Sequence, residues 1–485
     1  MKRLPRLFVL AFVVLTFATP FSNAQTFSVL YNFGSAANDP SKPSYPGIVT
    51  QGSDGNLYST APAGGANGCG AVFKITPAGK LNTVYSFACS SDGGFPQGGV
   101  TLGTDGNFYG TTYEDGDGSP FPAGTVFQVT PSGSLKTLYN FGDGKDGGYP
   151  FAPPVEGNDG NFYGTTVDGG NTTHCGTTGC GTIYKITPSG LLTTLHRFVI
   201  TDGNAPYAPL VLGTDGNFYG TTEFGGANSA NSGVVFKITP AGQFRVLYSF
   251  DGTHGESPTA PLVQGSDGNF YGTTRNGGVG YGVVFKITPA GTLKVLRNLV
   301  GSTDGANPYA GLVQGTDGNF YGANAYGGTV NSKCSDGCGT LFKITPLGVY
   351  SVLYKFASLS EVSVTPFQHT SGVVYGDTIV GGTGKISPCT VGACGVFYRW
   401  HNTTLTPFVS LLPYSGKVEQ TIEILGQGFV SGKTTVSFNG TAATPKFVSS
   451  TYLTVAVPKG ATTGLVTVTT SGVKLTSNKT FRVTP

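Results

Sequence analysis

The side chains able to do chemistry are sparse in this 485-residue chain, and few of them cluster. The five histidines, His174, His196, His254, His369 and His401, are dispersed. Neither a G-x-S-x-G nucleophile elbow nor an H-E-x-x-H zinc helix occurs. Gly432-Lys433-Thr434 has the ending of a phosphate loop, but Gly428 stands one position too close and the setting is a sandwich turn. Asp105, Asp159, Asp215, Asp267 and Asp317 recur at spacings of 54, 56, 52 and 50 residues and could form a ring of carboxylates. Each precedes Gly-Asn, however, where an aspartate oxygen bonds the backbone two residues on. A residue that every copy demands is explained by the copy, so turn structure is expected. Tyr58, Tyr109, Tyr163, Tyr219, Tyr271 and Tyr321 are read as packing residues on the same logic.

Metal chemistry has two candidate places. His174-Cys175 with Cys180 offers three zinc ligands, one fewer than a closed structural site takes. Glu114-Asp115-Gly116-Asp117-Gly118 and the stretch Asp143 to Asp146 are acidic, Gly-rich loops, but they lack the EF-hand spacing and its terminal Glu. The expectation is no metal and no cofactor. Eight cysteines, an even number, suggest disulfides in an exported chain. Cys175/Cys180, Cys334/Cys338 and Cys389/Cys394 each sit within one loop. Cys69 aligns with Cys180, Cys338 and Cys394 but lacks a nearby partner, which leaves Cys89. The expected bridges are Cys69–Cys89, Cys175–Cys180, Cys334–Cys338 and Cys389–Cys394.

The elements that carry these residues follow from a repeat. Its head reads DGNLY at Asp54, DGNFYGTT at Asp105, Asp159, Asp215 and Asp267, and DGNFYGAN at Asp317; a degraded head, SGVVYGDT, begins at Ser371. A Gly-Gly loop, a GxVFKITPxG-like block and an LxxLYxF-like block follow each head. In one copy, Pro261–Gln264 is the first strand and Asp267-Gly268 a hairpin turn. Asn269–Thr273, Val283–Ile287 and Leu293–Leu299 are the next three strands, with a Pro-Ala-Gly turn before the last. Four short strands in about 50 residues make one propeller blade. The predicted fold is all-β: a seven-bladed β-propeller of four-stranded blades over 25–411, then an immunoglobulin-like β-sandwich over 412–485. The fourth strand type occurs eight times, including Phe27–Phe33 and Thr404–Leu411. Phe27–Phe33 is therefore expected to complete the seventh sheet beside Gly395–Trp400 and remove an exposed edge. An open solenoid would stack the same modules linearly.

Over about residues 26 to 411 these blocks resemble the GloVer-type tandem repeats of bacterial choice-of-anchor exported proteins. The resemblance implies export and a repeat architecture, and brings no reaction or catalytic residues. From Pro413 to Pro485, GQGF at Gly426, VSFNGT at Val436, FVSSTYLTVAVPKGATTG at Phe447 and LVTVTTSG at Leu465 resemble an IPT/TIG immunoglobulin-like domain. That resemblance implies a spacer or adhesion module.

Lys2, Arg3 and Arg6, the apolar run Leu7–Phe17 and Ser22-Asn23-Ala24 read as a signal peptide over 1–24, cut between Ala24 and Gln25. Its removal takes away three basic residues and leaves 25 basic against 25 acidic. A neutral chain without a Lys/Arg run offers no footprint for nucleic acid. No second apolar stretch of spanning length occurs, so no membrane span is expected after signal removal. The expected product is a monomer that is secreted, periplasmic or at the cell surface.

Function that is local should lie where the copies differ, in the loops after the YGTT strand. These carry Tyr113, Glu114, Asp168, Glu223, Phe224, Arg275 and Tyr326. Aromatic and hydrogen-bonding side chains there suit a polysaccharide or a cell-surface protein. The leading reading is a non-catalytic exported binding or surface scaffold. One alternative is a propeller enzyme acting on glycans, a hydrolase or lyase, built on a cluster such as Glu223, Arg275 and a histidine; the other is a purely structural envelope component.

Overall fold

The computed structural model describes residues 25–43, 47–114, 123–142, 144–173, 175–227, 230–332, 334–357, 362, 364–384 and 394–485. The expected signal segment, His174, Cys389, Asp143 and the loop residues Asp115–Gly118 lie outside them. Among the described residues there are strands, turns and bends, and no helix.

The repeat region forms seven four-stranded antiparallel sheets with a propeller-like arrangement. In the fifth, Val263–Gln264, Phe270–Thr274, Val283–Ile287 and Leu293–Asn298 lie side by side in chain order. The second strand of each sheet is buried along its whole length. This is why its sequence must be small and apolar between the tyrosine and the threonines. At Gly272 a Cβ would lie 2.6 Å from the ring of Phe285 on the third strand, so the YGTT glycine is a packing requirement.

Each sheet is locked to the next by repeated contacts. Tyr58 stacks on Phe108, Tyr109 on Phe162, Tyr163 on Phe218, Tyr219 on Phe270 and Tyr271 on Phe320, with ring centroids 3.7–4.1 Å apart. The degraded seventh head has Val374 at the corresponding place, and Tyr321 meets Trp400 instead, at 5.4 Å. Side chains at the end of the first strand add a second set of ties. Gln264 accepts from the Thr214 N–H, Gln314 from Ser266 and Gln368 from Thr316 (2.8–3.1 Å), while Glu156 holds Thr104. Gln51 of the first sheet does the same to Thr370 of the seventh, accepting its N–H at 3.0 Å and donating to its hydroxyl at 2.9 Å.

The first described strand meets the last strand of the repeat region, as the strand count required. Thr26–Asn32 pairs antiparallel with Val396–His401, setting Phe27 opposite Trp400, and is the outer strand of the seventh sheet. The eighth outer strand read at Thr404–Leu411 is a correction. Thr404 lies in a turn, and Ser410–Leu412 pairs with Thr421–Leu425. With its sheet place already taken by the N-terminal strand, this segment buries Val409 and Leu411 in the C-terminal core instead.

That core lies between two four-stranded sheets, and the period-two residues Ile422, Ile424, Val436, Phe438, Leu453, Val455, Val457, Val466 and Val468 fill it. The sandwich rests on the head end of the repeat sheets. Thr451 donates to the Ser53 carbonyl (2.7 Å), Gln427 to Thr370 (3.1 Å) and Arg482 to the Thr214 carbonyl (2.8 Å), and Ser415 to Asn158 (2.7 Å).

Three disulfides fall where expected: Cys69–Cys89, Cys175–Cys180 and Cys334–Cys338. Cys394 is also disulfide-bonded, and its expected partner Cys389 lies outside the described residues. With Cys175 and Cys180 bonded to each other, neither supplies a thiolate, which removes the zinc alternative.

Candidate functional site

The repeated aspartates are turn residues with a further job. Asp267 accepts the Asn269 N–H at 3.1 Å, closing the turn, and also binds the Asn269 amide, the Tyr271 hydroxyl (2.8 Å) and Lys286 (2.7 Å). Asp159 and Asp215 hold the same set. In Asp105 a glutamine, Gln128, replaces the lysine. Partial burial works against ionisation of Asp215 and Asp267, but hydrogen bonds from lysine, asparagine and tyrosine outweigh it and hold both near pKa 2. Every oxygen is turned toward its own sheet, so these acids form no catalytic ring.

Among the described residues the histidines do not gather into a metal-binding group either. His196 stacks on Phe244 at 3.8 Å and bonds Asp202; His254 bonds Asp251. His369 is buried against the Gly55 carbonyl, and burial lowers its pKa to about 4. Among the described residues no three His, Cys, Asp or Glu side chains are grouped to hold a metal ion.

The divergent loops lie at the other end of the second strands from the heads, and therefore away from the sandwich. There the structure splits the seven candidates into two classes. Glu114, Asp168, Phe224 and Tyr326 occupy one equivalent position. Each exchanges backbone hydrogen bonds with the linker entering its own sheet: Gly94, Gly148, Asn204 and Ala306. Their backbones are structural; Glu114 and Phe224 leave their side chains exposed, and Asp168 and Tyr326 are half-buried.

Tyr113, Glu223 and Arg275 occupy the preceding position and face side chains of neighbouring sheets. Tyr113 packs on Tyr149 (centroids 5.2 Å) and Phe151 (5.5 Å), and Phe151 meets Tyr207 edge-on at 5.1 Å. Glu223 lies 3.6 Å from the Arg275 guanidinium, which covers the Tyr309 ring at 4.8 Å. These residues belong to the second through sixth sheets in order, so together they make an arc of aromatic faces with one acid–guanidinium pair.

Burial sets the electrostatics of the arc. It raises the Tyr113 pKa, helped by the charges of Asp168 and Glu114, and it raises that of Asp168. It also raises the Glu223 pKa, opposed by Arg275, whose guanidinium is too far away for a hydrogen bond. Arg275 Nε is buried without a hydrogen-bond partner among the described residues, an unspent donor at the centre of the charged end.

Tyr149, Phe151, Tyr207 and Tyr309 were missed from sequence. They sit in the linker between one sheet's last strand and the next sheet's first, in GYPF, APY and NPY. The available signal was variation just after a repeated proline, where Gln97, Phe151, Tyr207, Thr259 and Tyr309 correspond. The residue before that proline is left-handed in five copies, Phe95, Tyr149, Ala205, Ser257 and Asn307 (φ 51–57°). Each is held by its N–H to a carbonyl of the preceding sheet's loop: Cys69, Ala123, Cys180, Ser232 and Tyr281. That conformation is strained for a residue with a Cβ, and the pinning fixes the aromatic that follows.

A family model for the Gloeobacter/Verrucomicrobia repeat matches residues 16–177 and 170–388, and one for the IPT/TIG domain matches 408–483. Among curated proteins no match is found. Among solved structures, virginiamycin B lyase from Staphylococcus aureus is similar at 13% identity and a TM-score of 0.51, covering 78% of this chain and 99% of that one. A copper-bound fungal alcohol oxidase of the AA5 family is similar at 14% identity and a TM-score of 0.50, covering 96% and 100%. At these identities the likeness concerns the fold alone.

Proposed function

Because the chain belongs to the Gloeobacter/Verrucomicrobia repeat family and carries a C-terminal IPT/TIG domain, we propose that it is an exported, non-catalytic binding protein: a closed seven-bladed propeller that recognises a polysaccharide at the mouth facing away from the sandwich. The observation that carries this reading is the arc from Tyr149, Tyr113, Phe151 and Tyr207 to Glu223, Arg275 and Tyr309. Tyrosine faces cover the C–H surfaces of sugar rings while their hydroxyls stay wet. Glu223 and the partly exposed Arg275 guanidinium supply an acceptor and a donor for sugar hydroxyls. The acid of this arc faces a cation rather than a second carboxyl, and a retaining glycosidase pairs two carboxyls. Three disulfides support an oxidising compartment. No helix among the described residues is long and apolar enough to cross a membrane.

A glycan array probed with the full chain tests the proposal. Saturable binding to a polysaccharide is expected, weakened at least tenfold by Tyr207→Ala and by Arg275→Ala while Leu347→Ala, on an exposed turn at the head end of the sixth sheet, leaves it unchanged. Binding to no glycan, or binding that survives both arc substitutions, refutes it.

A further inference from the structure

The junction between repeat sheets and sandwich holds a partly open chamber, at the opposite end of the sheets from the aromatic arc. Two adjoining cavities of about 300 and 340 Å³ share Leu102, Val263, Gln264, Leu412, Tyr414 and Lys479. Between them they are lined by the first strands of all seven repeat sheets. Their combined size lies in the range of small-molecule sites.

The walls are apolar, and the polar groups among them are largely spent. Gln264, Gln314, Gln368 and Gln51 are bonded to adjacent sheets. Glu156 directs both oxygens to Thr104, at 2.7 and 2.6 Å. Lys479 differs. Among the described residues its ammonium has no carboxylate within ion-pair distance, and its one close aromatic neighbour is the Tyr414 ring, 4.9 Å away. A ring face attracts a cation without neutralising it. Burial lowers the Lys479 pKa and no acid opposes that effect. Lys479 is half-buried, so its ammonium remains reachable from the cavity and available to pair with an anion.

We propose that this chamber binds a small organic anion with an apolar body, its carboxylate or sulfonate on Lys479 and its hydrocarbon against Leu102, Val263 and Leu412. The inference stands on the junction alone and is independent of what the mouth recognises.

Calorimetric titration of the full chain with 2-naphthoate and with uncharged 2-naphthalenemethanol tests it. The anion is expected to bind at least tenfold tighter than the alcohol. Lys479→Met should abolish that preference, and so should Lys479→Gln, which retains a polar tip. Leu212→Trp, which fills the second cavity, should remove binding of both probes. Lys433→Met, on an exposed turn of the sandwich, should change neither. Equal affinity for the two probes, no binding of either up to its solubility, or a preference that survives both Lys479 substitutions overturns the proposal.

Discussion

Asp377 offers a strong test of the packing argument, because the repeat itself supplies the control substitution. It stands in YGDT where Thr111, Thr165, Thr221 and Thr273 stand in YGTT. Those threonines donate across the sheet boundary to the carbonyls of Ala152, Pro206, Ala260 and Ala310, at 3.1–3.4 Å. Asp377 is 0% exposed, and neither carboxylate oxygen has a hydrogen-bond partner among the described residues. Burial therefore raises its pKa well above the usual value, and the native state holds a proton that the unfolded chain releases. Ionisation of this group therefore costs nothing below the unfolded pKa of about 4, and stability falls as pH rises above it, tenfold in the folding equilibrium per unit until the native carboxyl ionises. Between about pH 4 and pH 5.5 that amounts to roughly 2 kcal/mol. Asp377→Thr should remove the slope. At low pH it should still gain about 1–3 kcal/mol, the usual cost of an unsatisfied buried polar group. Trp400, the single tryptophan, is buried in the same sheet and reports its unfolding directly by fluorescence in urea. The expected result is a variant more stable than wild type, by a margin that widens from pH 4 to pH 5.5. A margin that does not change with pH, or a destabilised variant, would falsify the reading of Asp377 as a neutral, unpartnered acid.

Three further outcomes follow from the same geometry. Gln51→Ala leaves the buried Thr370 N–H without its acceptor and should cost about 1–3 kcal/mol, seen as earlier urea unfolding by Trp400 fluorescence. Asp267→Ala removes a turn closure and a lysine contact on a partly exposed head; about 1 kcal/mol is expected after solvent screening. Because the Asp267 pKa is held down to about 2, its contribution is present above the unfolded value of about 4 and should vanish as pH falls through 2; acid denaturation curves check it. Glu423 sits at the sandwich junction, where burial pushes its pKa up to about 7, aided by the charges of Glu156 and Asp105 and opposed by a hydrogen bond from Tyr452. The junction should therefore weaken as pH rises from about 4.5 to 7. Glu423→Gln should abolish that dependence, as measured by the rate of limited proteolysis between ring and sandwich.

What was legible in the sequence is what recurs. Asp-Gly-Asn is a local turn signal, and the YGTT strand is a fully buried run, so both are read from a few adjacent residues. The strand at Phe27–Phe33 was placed by counting: one surplus outer strand and one sheet lacking its fourth member. The same count misplaced Thr404–Leu411, because an LxxL-like apolar run fits a blade edge and a sandwich edge equally well. Pairing of Ser410 with Leu425 depends on residues far along the chain. The mouth was half legible. Variation after YGTT pointed to Tyr113, Glu223 and Arg275, but each meets partners supplied by another sheet's linker. Those linker residues are marked in the sequence only by their place after a repeated proline, and the packing of adjacent sheets is what brings them near.

The two ends of the repeat sheets divide the work for a physical reason. At the head end, the residue that precedes each Asp-Gly or Ser-Gly turn is held in place by it, so these residues' oxygens present a nearly regular surface. Ser53, Asn158, Thr214 and Thr370 are four such positions, and the sandwich bonds all four. A repeated surface suits a permanent neighbour that must contact several sheets at once. At the opposite end, left-handed residues before proline pin five of the linkers through their backbones. Side chains one or two positions away can then change from Phe to Tyr to Thr without disturbing the fold. A scaffold that spends backbone strain in five copies to hold its linkers, while leaving those side chains free to differ, fits the recognition proposed for that end. In the seventh sheet, whose head is degraded, Trp400 meets Tyr321 where the aromatic stack is missing, and the strand Thr26–Asn32 supplies the outer edge.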